Sequence, residues 1–356
     1  MNEKIRLIFE HCAATHILCM ERKTIMRTCI YGAGAVGGFI GTKLAHAGYE
    51  VNAVGQGPTL KALREHGLRL ESDGVFLTEK VHATDDPAEL GVQDLVIIAV
   101  KATALVYVAQ KIAPLIGPDT IVMTAMNGIS WWFFDGFGGE YAGTRLAAVD
   151  PDGSIAAAIP SRNVVGCVVH GSFSLNEPGF TRHGFGKKLI IGEPDGSDSE
   201  RIRKLAEVLG KANLDITVSQ SIQTDIWFKL WGNMTMNPIS AMTGATCDRI
   251  LDDPLVNQFC LNVMTEAARI GARIGCPISQ SGESRNAVTR ELGAFKTSML
   301  QDVEGGRAVE LDALVSVVRE IGQKTGEPTP NIDALLGLAR LHAQVHGLYP
   351  WARAEG

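Results

Sequence analysis

Three polar side chains on one short stretch hold the most chemistry in this 356-residue chain. Residues 225–244 read DIWFKLWGNMTMNPISAMTG, and Lys229, Asn233 and Asn237 recur in it every four residues. At 3.6 residues per turn they fall on one helix face and drift slowly round it. Lys229 has Trp227, Phe228, Leu230 and Trp231 for neighbours. Desolvating an ammonium is costly, so a lysine in such company is partnered or put to use; an ordinary exposed lysine is the plain alternative. Apolar neighbours lower a lysine's pKa from ~10.4 towards neutrality, which makes it a better general acid. Pro238 predicts a kink or an end to the helix just past the stripe, unless local distortion absorbs it.

A second constellation suits a phosphate. Residues 28–38 read TCIYGAGAVGG, with Gly32, Gly34 and Gly37 in G-x-G-x-x-G spacing and Ala33, Ala35 and Val36 between them. A short apolar run precedes this loop and a helix-period segment follows it. In that context the first glycine permits a tight turn, the second lets a pyrophosphate reach backbone N–H groups, and the third lets helix and strand pack closely. A glycine-rich turn without a ligand is the competing reading. The next strand ends Val54-Gly55-Gln56-Gly57. It carries neither the acid that would bind ribose hydroxyls nor the arginine that would meet a 2′-phosphate. Lys61 and Arg64 lie one or two turns further on; they either reach a phosphate or form a solvated helix face.

These groups need a scaffold that brings them together. Asp94–Val100 is a continuous apolar run, the mark of a strand buried on both faces, and Lys101 follows it. Thr120–Met126 is another strand, ended by Asn127-Gly128. In open α/β sheets the ligand crevice lies at the carboxyl ends of the strands. Lys101 there either faces a phosphate or ribose or is a loop lysine, and Asn127 either holds an amide or a substrate or makes a plain turn. Trp131–Phe134 either wall a substrate pocket or pack a loop. Val164–Ser172, Phe180–Thr181 and Leu189–Ile191 read as strands extending the sheet. After about Val218 the segments Asp225–Met242, Pro254–Ile274, Ser284–Gln301, Val309–Lys324 and Asn331–His346 all read as helices. The expected fold is α/β: a Rossmann-like, mostly parallel sheet domain over 27–218, followed by an all-helical domain over 219–350. Residues 1–26 read as an N-terminal extension with no assigned chemistry.

Composition narrows the function classes. A net charge of −6 gives no basic footprint for nucleic acid. No apolar run approaches the ~20 residues of a membrane span. Seven scattered cysteines without a C-x-x-C pair argue for a reducing, cytoplasmic setting and against a zinc site or disulfide framework.

Further on, SMLQD at 298–302 precedes GRAVELD at 306–312. Ser298 and Asp302 share a helix face, whereas Glu310 and Asp312 do not, so at most one of that pair should point into a cleft. With GAGAVGG, VKAT at 100–103, NG at 127–128 and FKLWGNMTMNP at 228–238, these segments make the chain resemble the ketopantoate reductase (2-dehydropantoate 2-reductase) family from about Arg27 to His346. The resemblance implies a Rossmann domain, a helical domain and an active site between them. It implies NADPH-dependent reduction of a 2-keto acid, ketopantoate or a bulkier relative, with NAD not excluded. It casts Lys229 as general acid, joined by Glu310. Asn127, Asn233, Asn237 and Ser298 become substrate ligands. Gly32 to Gly37, Gln56, Lys101 and Asn127 become cofactor contacts. Gln56 stands where the family has an arginine for the NADP phosphate, which opens the cofactor preference. A homodimer is left open. Three other readings stay in play: a 3-hydroxyacid-type dehydrogenase, an opine-type imine reductase, and a nucleotide sensor without turnover.

Overall fold

The computed structural model describes residues 26–351; of the N-terminal extension only Met26 lies within them. Strand β1 (Thr28–Tyr31) leads through the glycine turn into helix α1 (Ala35–His46). Then come β2 (Val51–Val54), α2 (Gly57–His66), the hairpin β3 (Leu68–Ser72) and β4 (Val75–Glu79), and β5 (His82–Thr84). Strand β6 (Leu95–Ile98), helix α3 (Leu105–Lys111) and strand β7 (Ile121–Thr124) follow. A long loop with the short helix α4 (Ser154–Ala158) precedes the hairpin β8 (Val164–Glu177) and β9 (Phe180–Gly192), helix α5 (Glu200–Lys211) and strand β10 (Asp215–Val218).

All ten strands join one sheet in the order β4-β3-β9-β8-β7-β6-β1-β2-β5, with β10 beside β9. Pairing is parallel except within the β3–β4 and β8–β9 hairpins. Alternation sorts the side chains onto two cores. Cys29, Tyr31, Val96 and Ile98 belong to a core that includes α3 and the loop after β7, while Ile30, Leu95 and Ile97 belong to one that includes α1 and α5. The first of these cores is continuous with the buried faces of the C-terminal helices as far as Leu348.

The helices after the sheet are α6 (Ile222–Thr243), α7 (Cys247–Asp252), α8 (Pro254–Arg273), α9 (Gly282–Arg290), α10 (Ser298–Glu304), α11 (Val317–Thr325) and α12 (Pro330–Val345). A π-helical turn over Asp312–Ser316 leads into α11. No helix among the described residues is long and apolar enough to cross a membrane, and their five cysteines are free and buried.

The helix expected over Asp225–Met242 is α6, which carries Pro238 inside it and runs five residues beyond to Thr243. A mid-helix proline costs ~3 kcal/mol. Leu230, Trp231, Met234 and Ile239 are each at most 4% exposed, and each buried side chain is worth ~1.5–3 kcal/mol, so packing wins. The single helix expected over Ser284–Gln301 is two. Gly293 breaks it at φ +63°, and Thr297 starts α10 by accepting the Leu300 N–H. The β3–β4 hairpin, not foreseen, turns at Asp73-Gly74, both at positive φ. Trp131–Phe134 wall no substrate cleft: they are buried, Trp131 Nε1 donates to the Ile159 carbonyl, and Phe133 packs on Trp227 of α6. They weld the loop after β7 to the helical half.

Candidate active site in two adjoining clefts

The carboxyl ends of β1, β2, β6 and β7 open onto two clefts that share Gly34 and Val100. The first, about 260 Å³, runs from Gly32, Ala33 and Gly34 over Val54 and Gln56 to Tyr107 of α3. The second, about 350 Å³, is bounded by Gly34, Ala35 and Val36 on one side. Lys101, Asn127, Ser298 and Glu310 bound it on the other.

The three glycines differ in what surrounds them, as their spacing requires. Gly32 has φ +96°, and a Cβ there would lie 2.5 Å from Val100 Cγ1. At Gly37 a Cβ would lie 2.2 Å from the Gly32 carbonyl oxygen, so this residue is packed under the turn and lines neither cleft. At Gly34, the residue preceding α1, a Cβ would meet nothing within 4 Å. The space is open where the helix N-terminus presents unpaired N–H donors. The Tyr31 hydroxyl, buried in the wall of the first cleft, has no hydrogen-bond partner. An unfilled cradle at Gly34 and an orphaned hydroxyl beside it both fit a polar ligand laid along the turn, as a dinucleotide would be.

The helical half closes the second cleft. Lys229 Nζ donates to Asn127 Oδ1 and to the Val169 carbonyl of β8, both at 2.7 Å. The side chain retains some exposure, but its ammonium sits among protein atoms. Burial lowers its pKa to about 8, and Cys167 and Glu310 oppose the shift. Burial pushes the Cys167 thiol up to about 12, so at neutral pH it is uncharged and only Glu310 acts as a counter-charge. Lys229 and Asn233 line a narrow space behind Asn127, which itself faces the second cleft. Asn237, one turn further, is buried and lines neither cleft.

Glu310 Oε1 accepts the backbone N–H of Ala102 at 2.8 Å, joining the β6 loop to the helical half. Burial raises its pKa. Asp312 turns away and accepts from Ser316 and Tyr349, so Glu310 alone of that pair faces the cleft. Lys101 pairs with Asp302 of α10, whose carboxylate also takes Arg307 Nε at 3.1 Å. Ser298 opens α10 and lines the cleft beside them.

The positions of some residues fell outside the sequence reading. His170 follows Val169 on β8. Burial and the charges of Lys229, Lys188 and Arg285 lower its pKa to about 4, so it is neutral near pH 7. Arg285 of α9 lies over the Phe228 ring at 5.9 Å and against Gly232. Nothing local in sequence marks either residue. Lys61 and Arg64 do not line the first cleft: Lys61 faces Glu65, while Arg64 bonds the Ala83 carbonyl and faces Asp85.

Two family models match the chain: "Ketopantoate reductase PanE/ApbA" over residues 28–132 and "Ketopantoate reductase PanE/ApbA C terminal" over 221–343. A 2-dehydropantoate 2-reductase of Mesorhizobium japonicum is 44% identical over 91% of this chain and 100% of its own length. The crystal structure of a ketopantoate reductase homologue from Ralstonia solanacearum is 61% identical, with TM-score 0.88, covering 91% of this chain and 100% of its own. A D-mandelate dehydrogenase solved with NADH and anilino(oxo)acetate shares the fold at 23% identity and TM-score 0.78, over 91% of this chain and 100% of its own. By both family models and by a relative matched over its whole length, the chain belongs to the ketopantoate reductase family.

Proposed function

We propose that this protein is an oxidoreductase acting on CH–OH that reduces a 2-keto acid, ketopantoate or a bulkier relative, to its 2-hydroxy acid. One observation carries the reading. A lysine ammonium whose pKa is brought to about 8 is tethered to Asn127 at the edge of a cleft that begins on the glycine turn. Residues 32–36, Gln56, Lys101 and Asn127 would hold a nicotinamide dinucleotide, with Gly37 packed beneath the turn, and that group would supply the hydride. NADPH is the family expectation, with NADH open.

Negative charge develops on the substrate's C2 oxygen during reduction. The ammonium of Lys229 has three N–H bonds, two of them spent on Asn127 and Val169. The third is free to stabilise that oxygen and to deliver its proton. Glu310 spends Oε1 on Ala102 and offers its other oxygen to a substrate hydroxyl or to Lys229. Ser298, with Asn233 beside Lys229, orients the substrate carboxylate and chain; Asn237 supports the same face from one turn away. The division of labour is a cofactor domain over 27–218 and a substrate domain over 219–350. The exposed stripe Leu338, Leu341 and Val345 on α12 supports a homodimer, and the free buried cysteines support a cytoplasmic setting.

The test is oxidation of NADPH and NADH over a panel of 2-keto acids, from ketopantoate to phenylglyoxylate. Turnover on at least one of them is expected. Turnover only of 3-hydroxy acids with the oxidised cofactor, or of keto acids only with an added amine, would favour the related dehydrogenase or opine readings. Cofactor binding without turnover would favour a sensor.

A further inference from the structure

The far end of the first cleft is built from neutral groups. Gln56 precedes α2, and its side-chain Nε2 donates to the hydroxyl of Tyr107 across the cleft mouth. Thr59 adds a further neutral group to the lining. No lysine or arginine is among the lining residues. Of the basic side chains nearest in sequence, two turn to other partners: Lys61 faces Glu65, and Arg64 faces Asp85 and the Ala83 carbonyl. The third, Lys111, stands behind the lining, over the Tyr107 ring at 5.0 Å, held first by the Tyr107 side chain and then by Asp85 and Asp86.

We propose that this end of the cleft selects a dinucleotide whose adenosine ribose carries a free 2′-hydroxyl, so that NADH is preferred over NADPH, with Gln56 and Tyr107 as the selecting residues. The inference rests on the dinucleotide reading above and narrows it. A 2′-phosphate carries between one and two negative charges at neutral pH and is met, in folds of this type, by an arginine near the end of the second strand. A Gln56 amide supplies one acceptor and two donors, and a Tyr107 hydroxyl donates and accepts. That set matches a ribose diol and gives a phosphate dianion no counter-charge in the cleft lining. The chain's net charge of −6 adds no long-range attraction for the extra anion.

The experiment is calorimetric titration of the intact protein with ADP-ribose and with its 2′-phosphorylated form, so that no keto acid and no turnover are needed. ADP-ribose should bind at least ~10-fold tighter. Gln56→Arg should reverse the order, and Gln56→Glu should widen it, because a carboxylate accepts from hydroxyls and repels phosphate. Lys111→Ala should leave the ratio unchanged. Thermal melts establish that each variant is folded, and Gln56→Glu carries the test if Gln56→Arg is not. Equal or tighter binding of the phosphorylated ligand to the unaltered protein overturns the selectivity while leaving the dinucleotide site standing. A collapse of that ligand's binding in Lys111→Ala overturns the assignment of the choice to Gln56 and Tyr107. If neither ligand binds at millimolar concentration, the dinucleotide reading itself falls, and the selectivity with it.

Discussion

Lys229 Nζ and Asn127 Oδ1 meet at 2.7 Å although 102 residues of chain separate them. One sits on a helix of the C-terminal half and the other at the end of a sheet strand, so this single contact ties the two halves at the reacting centre. Lys229→Ala should lower kcat by ~10²-fold or more while dinucleotide affinity stays within about twofold of normal. Single-turnover kinetics and cofactor fluorescence measure the two quantities separately, and unchanged turnover would remove Lys229 from the chemistry.

The pH dependence follows from the same amine. Its pKa is lowered to about 8, so the protonated form needed for reduction is lost above that pH. The kcat/KM for reduction should fall above about 8, and the reverse oxidation should rise. For stability the sign runs the other way. Between about 8 and the unfolded value of ~10.4 the unfolded chain binds more protons, so this group makes the fold more stable as pH rises through that window. Lys229→Met should abolish that increment in urea melts taken across it.

Glu310 allows structure and chemistry to be separated. Glu310→Gln keeps a carbonyl oxygen for the Ala102 N–H and should melt near the unaltered protein, yet turn over more slowly. Glu310→Ala leaves that N–H without its acceptor and should cost a further ~1–3 kcal/mol of stability. If both variants melt alike and turn over normally, the carboxylate has no part in the reaction.

Gly128 and Gly34 should respond in opposite ways to the same change. At Gly128 the backbone has φ +81°, and a Cβ would stand 2.3 Å from the Ala313 carbonyl oxygen. Gly128→Ala should cost at least ~2 kcal/mol in denaturant melts. At Gly34 a Cβ meets open space. Gly34→Ala should melt within ~0.5 kcal/mol of the unaltered protein but bind ADP-ribose about tenfold more weakly, because the methyl occupies the approach to the helix N-terminus.

The glycine turn was legible because each requirement is local: a positive φ, an open approach and a close packing, all within the six residues from Gly32 to Gly37. The Lys229–Asn233–Asn237 stripe was legible because helical period alone places it. What escaped the sequence is pairing over distance. Lys101 finds Asp302, Glu310 finds Ala102, and Lys229 finds the Val169 carbonyl only after sheet and helices have packed. The helix through Pro238 was legible despite the proline, because the apolar residues on either side outweigh its local penalty. The Asp73-Gly74 hairpin did carry a signal, a turn dipeptide between short apolar-rich runs, and it went unread.

The sheet's underside and the helices bearing Lys229 bury their apolar groups in one shared interior. Neither portion therefore has a finished surface of its own. Cutting near residue 218 would leave Phe133 and Val168 facing water on one fragment and Trp227, Ile226 and Leu230 on the other. Chimeras that exchange the helical portion between relatives must carry its matching floor with them, and heating should melt the whole in one transition.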